Sequence, residues 1–182
     1  MNKGESLEKL CRGIQRCHRC ERWKSRAHAV PGEGDPDARI FFTGEAPGRT
    51  EDKKARPFIG RSGHYLDNVF SEYKVKREEV YITSILKCYH PSPPKRSQME
   101  SCRSWLIQQI DVIQPEFIFV MGTSAAWGLL GIDQLGTDPL DLKWNSIPCI
   151  VTCHPAAAMR FPKRNKQFRR DFTRLIKKIS AH

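Results

Sequence analysis

The sequence predicts an α/β fold whose largely parallel sheet is covered by helices on both faces. Two observations support this prediction. Four short apolar segments, rich in β-branched and aromatic residues, alternate with segments whose apolar residues recur at helical spacing. Strands that alternate with helices in this way imply a largely parallel sheet covered on both faces. At 182 residues, the chain suits one domain with a substantial core, so we expect a single domain over residues 1–182.

The predicted strands share one feature, which is that a loop begins where each strand ends. They cover residues 39–43, 80–86, 117–121 and 149–153. The carboxyl ends of parallel strands lie at one edge of a sheet, where ligands bind. We therefore expect four strand exits to converge on a single site: Gly44 onward, Ser84 to Cys88, Gly122-Thr123 and His154-Pro155.

Helical periodicity predicts five main helices, over residues 5–16, 62–73, 97–113, 123–130 and 165–179. Ser97 and Glu100 fit a capping box at the start of the third helix. Glu51 and Asp52 indicate a further helix start after the first strand. Glycine and proline clusters predict loops over residues 24–38 and 89–96, and residues 131–147 are expected to be irregular.

The charge balance favours a polyanionic partner. Lysine and arginine exceed aspartate and glutamate by 11, which makes nucleic acid the first candidate. The alternative is a basic protein without such a partner. No apolar run approaches the roughly 20 residues of a membrane span, and the N-terminus lacks the apolar stretch of a secretory signal. We expect no membrane association and a cytoplasmic, nucleoid-associated location.

The seven cysteines indicate metal or cluster ligation rather than disulfides, because their number is odd and nothing suggests secretion. Cys17, Cys20, Cys88 and Cys102 suffice for a tetrahedral zinc site or for a 4Fe–4S cluster, and their spacing does not choose between these. Four unrelated buried thiols are the third alternative. The remaining cysteines, at positions 11, 149 and 153, fit core positions.

Two motifs in this sequence resemble those of one known protein family. They are Gly44-Glu45-Ala46-Pro47-Gly48-x-x-Glu51-Asp52 and Arg56-Pro57-Phe58-Ile59-Gly60-x-x-Gly63-x-x-Leu66-Asp67. Together they resemble the signature of family 4 uracil-DNA glycosylases, the iron–sulfur members of the uracil-DNA glycosylase superfamily. Lys87-Cys88, Cys102, His154-Pro155 and the Cys17/Cys20 pair also fall where that family has them. The resemblance covers about residues 10–178.

The resemblance implies a three-layer α/β/α sandwich around a four-stranded parallel sheet. It also implies a 4Fe–4S cluster rather than zinc, held by the four cysteines named above. The implied activity is hydrolysis of the N-glycosidic bond of deoxyuridine in DNA, which leaves an abasic site during base excision repair. No motif places a lysine to form a Schiff base, so we expect a monofunctional enzyme without lyase activity.

The same resemblance assigns roles in a base pocket that begins at Gly44. Phe58 would stack on a flipped uracil, and His154 would donate a hydrogen bond to uracil O2. Glu45 would orient the attacking water, and Glu51 would crowd the C5 edge and exclude thymine. The competing interpretations are a core phenylalanine, a structural histidine and two glutamates that only balance a helix N-terminus.

Ser84 departs from the family pattern, which usually has asparagine at this strand position. An amide can contact both O4 and N3–H of uracil, whereas a hydroxyl is shorter and has one donor. The resemblance therefore predicts weaker uracil excision or a broader range of bases for this chain.

A basic segment follows the His-Pro pair and is expected to contact DNA phosphates. Its cations are Arg160, Lys163, Arg164, Lys166, Arg169, Arg170 and Arg174, and the first five are the main candidates for DNA contacts. Arg160 or Phe161 could wedge into the stack that the flipped base vacates. The alternative is a solvated helix face. The expected partner is uracil-containing DNA, single- or double-stranded, bound by a monomer, with a sliding clamp as a candidate further partner.

Two other functions remain open at the level of sequence. One is a non-catalytic iron–sulfur protein that binds DNA and has lost turnover through Ser84. The other is a zinc-stabilised α/β module that binds nucleotides.

Overall fold

The computed structural model describes residues 2–134 and 142–181, and these form a sheet with helices on both faces. Its strands are β1 (Glu33–Gly34), β2 (Ile40–Gly44), β3 (Tyr81–Ser84), β4 (Phe117–Met121), β5 (Leu142–Trp144) and β6 (Ile147–Thr152). Its helices are α1 (Lys3–Gln15), α2 (Arg49–Lys54), α3 (Arg61–Glu72), α4 (Arg96–Ile113), α5 (Thr123–Leu130), α6 (Pro155–Arg160) and α7 (Pro162–Ser180). Within these residues, no helix is both long and apolar enough to cross a membrane.

The strand order is β1-β3-β2-β4-β6-β5. The four central strands pair in parallel, which confirms the predicted centre of the sheet. Two short edge strands, β1 and β5, pair antiparallel with β3 and β6 and were not predicted. They have two and three residues, too few for a periodic pattern to be read from the sequence. Residues 131–147 were predicted to be irregular. Of these, residues 135–141 lie outside the described part of the chain.

The core consists of two apolar layers, one on each side of the sheet. Side chains alternate along a strand, so the fully buried β4 supplies Ile118 and Val120 to one layer and Phe117, Phe119 and Met121 to the other. The first layer contains side chains of α1, α4 and α5, and the second contains side chains of α3, α6 and α7. The predicted three-layer sandwich is therefore confirmed.

Several predicted boundaries were wrong. The α4 N-terminus is capped by Gln98, whose Oε1 accepts from the Lys95 N–H at 3.1 Å, so the capping box at residues 97 and 100 is not formed. Strand β3 ends at Ser84, two residues earlier than predicted, and β6 ends at Thr152. Helix α6 was missed, because six residues are too few to show helical periodicity.

Candidate active site and cysteine site

A cavity of about 320 Å³ opens at the carboxyl edge of the parallel strands. Its lining comes from two loop–helix segments, 46–51 and 57–62, together with Val30, Ser84 and His154. The predicted convergence of strand exits is confirmed for the ends of β2, β3 and β6, because residues far apart in sequence share this cavity.

Phe58 lies at the end of β2, directly over Gly44. A Cβ built on Gly44 would be 2.4 Å from the Phe58 Cζ, so the ring occupies the space that a side chain there would fill. The Phe58 side chain is buried, and its backbone φ of +48° is rare for a bulky residue. Such backbone strain persists where the surrounding structure holds it, and it is frequent at functional sites.

Glu51 holds the turn that carries Phe58. Its Oε1 accepts hydrogen bonds from the Ile59 N–H at 3.0 Å and from the Gly60 N–H at 2.7 Å. The carboxylate is buried in the first turn of α2 and also lines the cavity. Sequence reasoning missed this positioning contact. The predicted contact between Glu51 and the C5 edge of a base stays a prediction.

Asp52 holds the loop that precedes Val30, another lining residue of the cavity. Its carboxylate accepts from the Ala27 N–H at 2.9 Å and from the His28 N–H at 3.2 Å. The consecutive acids at 51 and 52 therefore anchor two different loops. The acidic pair was visible in the sequence, but its partners were not.

His154 is the N-cap of α6, and this contact identifies its tautomer. Its Nδ1 accepts from the Ala156 N–H at 3.2 Å, so the proton of the neutral imidazole is on Nε2. Burial lowers the pKa of His154, and the nearby Glu45 carboxylate opposes this effect. The imidazole lies beside Phe58, with ring centroids 6.0 Å apart. The site thus has a neutral N–H donor next to an aromatic face.

Glu45 is half-buried beside this cavity but is not among the residues that line it. Its Oε2 accepts a hydrogen bond from the Ser124 hydroxyl at 2.5 Å. The backbone of this loop is tied to the next strand exit, because the Gly44 and Glu45 carbonyls accept from the N–H groups of Ile85 and Leu86. Glu45 therefore follows directly after the end of β2 and precedes the lining residue Ala46, and its role in orienting a water stays a prediction.

Ser84 is buried, lines the cavity and pairs in register with Gly44. Its carbonyl accepts from the Lys87 ammonium at 2.7 Å. That buried ammonium also donates to the Thr83 hydroxyl at 2.6 Å and to the Gln109 Oε1 at 2.8 Å. Desolvation lowers the pKa of Lys87 to about 7. This buried network behind the pocket was not predicted.

Cys17, Cys20, Cys88 and Cys102 line one small pocket, and their role as ligands stays a prediction. Among the described residues, no group of three or more histidine, cysteine, aspartate or glutamate side chains is placed to hold a metal ion. Burial raises the pKa of the Cys102 thiol to about 12.

The surroundings of this pocket suit sulfur ligands with negative charge. The Trp105 indole N–H donates to the Cys17 Sγ at 3.3 Å, and the Arg26 guanidinium donates to the Cys88 Sγ at 3.0 Å. Arg22 and Lys87 are both buried next to the cysteines. Burial raises the pKa of the Cys88 and Cys102 thiols, and the hydrogen bond from Arg26 and the charge of Lys87 oppose that effect. Hydrogen bonds to sulfur and nearby cations are what thiolate ligands of a metal or cluster require, so the donor set fits such a group.

The remaining cysteines agree in part with the predicted core positions. Cys149 and Cys153 are buried, whereas Cys11 is partly exposed.

The predicted DNA-contact residues lie on and before α7. Lys163, Arg164 and Lys166 line an open groove of about 450 Å³. Arg160 is exposed, and the apolar side chains of Met159 and Phe161 are 40% and 58% exposed on either side of it.

Arg169 differs from the other predicted contacts. Its guanidinium forms a salt bridge with Glu72 and donates to the Asn165 Oδ1 at 2.9 Å. It is therefore already engaged with α3 and with its own helix. Arg170, which belongs to the same predicted basic segment, lines the groove with the two lysines and Arg164.

Comparison with known proteins agrees with this geometry. The family model described as "Uracil DNA glycosylase superfamily" matches residues 31–177. This chain belongs to the uracil-DNA glycosylase superfamily. The match includes both cavity motifs, Cys88, Cys102 and most of the basic helix α7.

Relatives that match over most of their length narrow the assignment within this superfamily. The type-4 uracil-DNA glycosylase of Archaeoglobus fulgidus is 33% identical over 94% of this chain and 92% of the relative. Those of Sulfurisphaera tokodaii and Thermotoga maritima are 36% and 33% identical, over 94% and 97% of this chain and 84% and 94% of the relatives. The predicted family 4 assignment is thereby confirmed, and so is the class of enzyme at the level of the family.

Proposed function

We propose that this protein excises uracil from DNA by hydrolysing the N-glycosidic bond of a flipped deoxyuridine. The observation that carries the proposal is the neutral His154 N–H donor, held beside the Phe58 ring in a cavity at the ligand edge of the sheet. A base inside a duplex is unreachable, so the nucleotide must rotate into this cavity at a cost of a few kcal/mol.

His154 would stabilise the leaving base. As the bond between sugar C1′ and uracil N1 breaks, its electron pair moves onto the base and negative charge grows at O2. The Nε2–H donates to that oxygen without transferring its proton. A fixed donor in a desolvated site is worth more than the same donor in water.

Glu45 would act on the other side of the breaking bond. The sugar becomes oxocarbenium-like, as in other glycoside cleavages. A water at the Glu45 carboxylate would add its oxygen to C1′ and lose a proton, and the departing uracil anion would take up a proton. The same carboxylate would also stabilise the developing positive charge on the sugar.

Phe58 and Glu51 would select and hold the base. The Phe58 ring offers a stacking face, and its position depends on the turn that Glu51 holds. Glu51 lines the cavity itself, and by resemblance to the family it would exclude the C5 methyl of thymine. Ser84 would supply one hydroxyl contact to the base edge, which supports weaker uracil excision or a broader base range.

DNA would bind along the start of α7, with Lys163, Arg164 and Lys166 on its phosphates. An apolar side chain next to these cations would fill the stack that the flipped base vacates, and the exposed Phe161 is the candidate. We further propose a monomeric, cytoplasmic enzyme, with the single domain over residues 1–182.

Cys17, Cys20, Cys88 and Cys102 would hold a 4Fe–4S cluster, and zinc is the alternative. When bound, such a group would act structurally, by crosslinking the segment after α1 to the β3 exit loop and to α4. Trp105 and Arg26 would donate hydrogen bonds to its ligands. A visible absorption band at about 400 nm, with iron and sulfide in the purified protein, supports the cluster. Stoichiometric zinc without that band would contradict it.

Excision is tested by incubating the protein with single- and double-stranded oligonucleotides that contain one uracil. Release of free uracil and alkali-sensitive cleavage at that position support the proposal, and a His154→Ala variant should lose most of this activity. Binding of uracil-DNA without release of uracil would instead favour the non-catalytic alternative, in which Ser84 has disabled the pocket.

A further inference from the structure

One short turn contacts both residues assigned to the chemistry. Helix α5 begins directly after β4, and Ser124 lies in its first turn. The Ser124 hydroxyl donates to the Glu45 Oε2 at 2.5 Å, although the two residues are 79 positions apart in the chain. The preceding Gly122 lies against His154, since a Cβ built on that glycine would be 3.1 Å from the His154 Cβ.

The Ser124 contact is not ordinary helix capping. Serine near a helix start usually bonds to the backbone of its own helix. Here the N-cap is Gly122, whose φ of +95° few other residues could adopt, and the cap has no side-chain hydrogen bond. The hydroxyl instead reaches across the sheet edge to a carboxylate on a neighbouring strand exit.

This contact restrains the carboxylate in both position and orientation. A glutamate has three side-chain torsions, and a hydrogen bond to one oxygen removes most of that freedom. A hydroxyl donor at 2.5 Å from a carboxylate is within the range of short, charge-assisted hydrogen bonds. The positive end of the α5 dipole favours the ionised carboxylate at the same point. With Oε2 engaged, Oε1 is left as the acceptor for a water.

We propose that Ser124 is a positioning residue that holds the Glu45 carboxylate in the orientation needed to direct the attacking water. The inference rests on the proposed function, because it assumes that Glu45 acts on that water. It adds a residue outside both sequence motifs and places α5 in the machinery of the site.

The test compares Ser124→Val with Ser124→Thr in single-turnover excision of uracil from a duplex oligonucleotide. Valine and threonine have nearly the same shape, so the pair differs mainly in the hydroxyl. We expect the valine variant to lose about 10- to 100-fold in the single-turnover rate, as for loss of one charge-assisted hydrogen bond. The threonine variant should recover most of the rate. Affinity for uracil-DNA should change less than about twofold in both, because the hydroxyl acts on the water rather than on the DNA.

Two controls separate positioning from a structural effect. Ser71→Val makes the same substitution at an exposed serine of α3 that does not line the cavity, and it should leave the rate unchanged. In a Glu45→Ala background, Ser124→Val should cost nothing further, because the carboxylate that it positions is gone. Thermal melting of each variant checks that the fold is retained.

The outcomes distinguish the two proposals. If wild type releases uracil but Ser124→Val is equally fast, the positioning role is wrong and the proposed function stands. An undiminished effect of Ser124→Val in the Glu45→Ala background would also overturn the positioning role. If wild type releases no uracil at all, the proposed function fails first, and the inference fails with it.

Discussion

Ser84→Asn should increase uracil excision. Ser84 is 5% exposed at the end of β3 and lines the cavity. Its register partner is Gly44, over which the Phe58 ring lies, so position 84 is next to the proposed stacking face. A longer amide at position 84 can therefore extend along the edge of a base that stacks there. The Ser84 carbonyl, which Lys87 holds, is unaffected by the substitution.

The magnitude follows from the hydrogen bonds that an amide would add. Asparagine can accept from N3–H and donate to O4 at once, whereas the serine hydroxyl supplies one donor. A two-point contact to a base edge is worth about 1–3 kcal/mol of discrimination. That range corresponds to about 5- to 150-fold in kcat/KM for uracil relative to a competing base. We expect this gain in kcat/KM for excision of uracil, and a loss of similar size in kcat/KM for other deaminated bases.

The assay is excision kinetics on otherwise identical oligonucleotides that contain uracil, hypoxanthine or xanthine. Ser62→Asn is the matched control, because Ser62 lines the same cavity from α3 and has no predicted contact with the base edge. Ser84→Ala should lower uracil excision further. Unchanged or reduced uracil excision by Ser84→Asn, in a variant that melts like wild type, would refute this explanation of Ser84.

Three further results are expected. Burial lowers the pKa of His154 below its ordinary 6.5, so the ring is neutral at neutral pH and becomes protonated only as pH falls through that lowered pKa. The Nε2–H remains after protonation, but Nδ1 then carries a proton and no longer accepts from the Ala156 N–H, so the ring loses the contact that orients it. The pH–rate profile should therefore fall on the acid side, and faster excision on acidification would contradict this role of the neutral ring. Gly44→Ala would place a methyl 2.4 Å from the Phe58 Cζ. Displacing that ring should cost about 1–3 kcal/mol of stability. It should also weaken binding of uracil-DNA because the stacking face moves, and wild-type affinity would argue against stacking. Lys163→Gln and Lys166→Gln should each reduce the salt dependence of DNA binding by about one phosphate contact, and an unchanged salt slope would count against the α7 surface.

A matched control exists for the lysine variants. Lys76 is exposed, pairs with Glu79 at 2.8 Å and lies on the turn before β3, outside the α7 groove. Lys76→Gln removes the same charge and should leave the salt slope unchanged. An equal effect there would mean that net charge, rather than the α7 surface, determines DNA affinity.

The central sheet and its helices could be predicted from the sequence because the patterns that indicate them are local. Short apolar segments marked the four parallel strands, and helical spacing marked the crossovers. Because parallel strands end at one edge of the sheet, the strand pattern alone predicted that Ser84, His154 and the motif after Gly44 share one site. The cysteine pair at 17 and 20 was likewise expected to join the later cysteines. The edge strands and α6 were not predicted because they are too short to show a periodic pattern.

The contacts that organise the site depend instead on how distant elements pack. Glu51 was visible as an acid in a helix start, but its bonds to the turn at Phe58 follow from the approach of α2 to α3. The His154 tautomer depends on one backbone N–H, and the salt bridge of Arg169 depends on the distance from α7 to α3. The same holds for Ser124 and Glu45. Sequence periodicity predicts which face of a helix or strand is buried. A hydrogen bond between side chains 79 residues apart depends also on strand register, on side-chain rotamers and on the packing of the elements. These three properties are determined only in the folded chain.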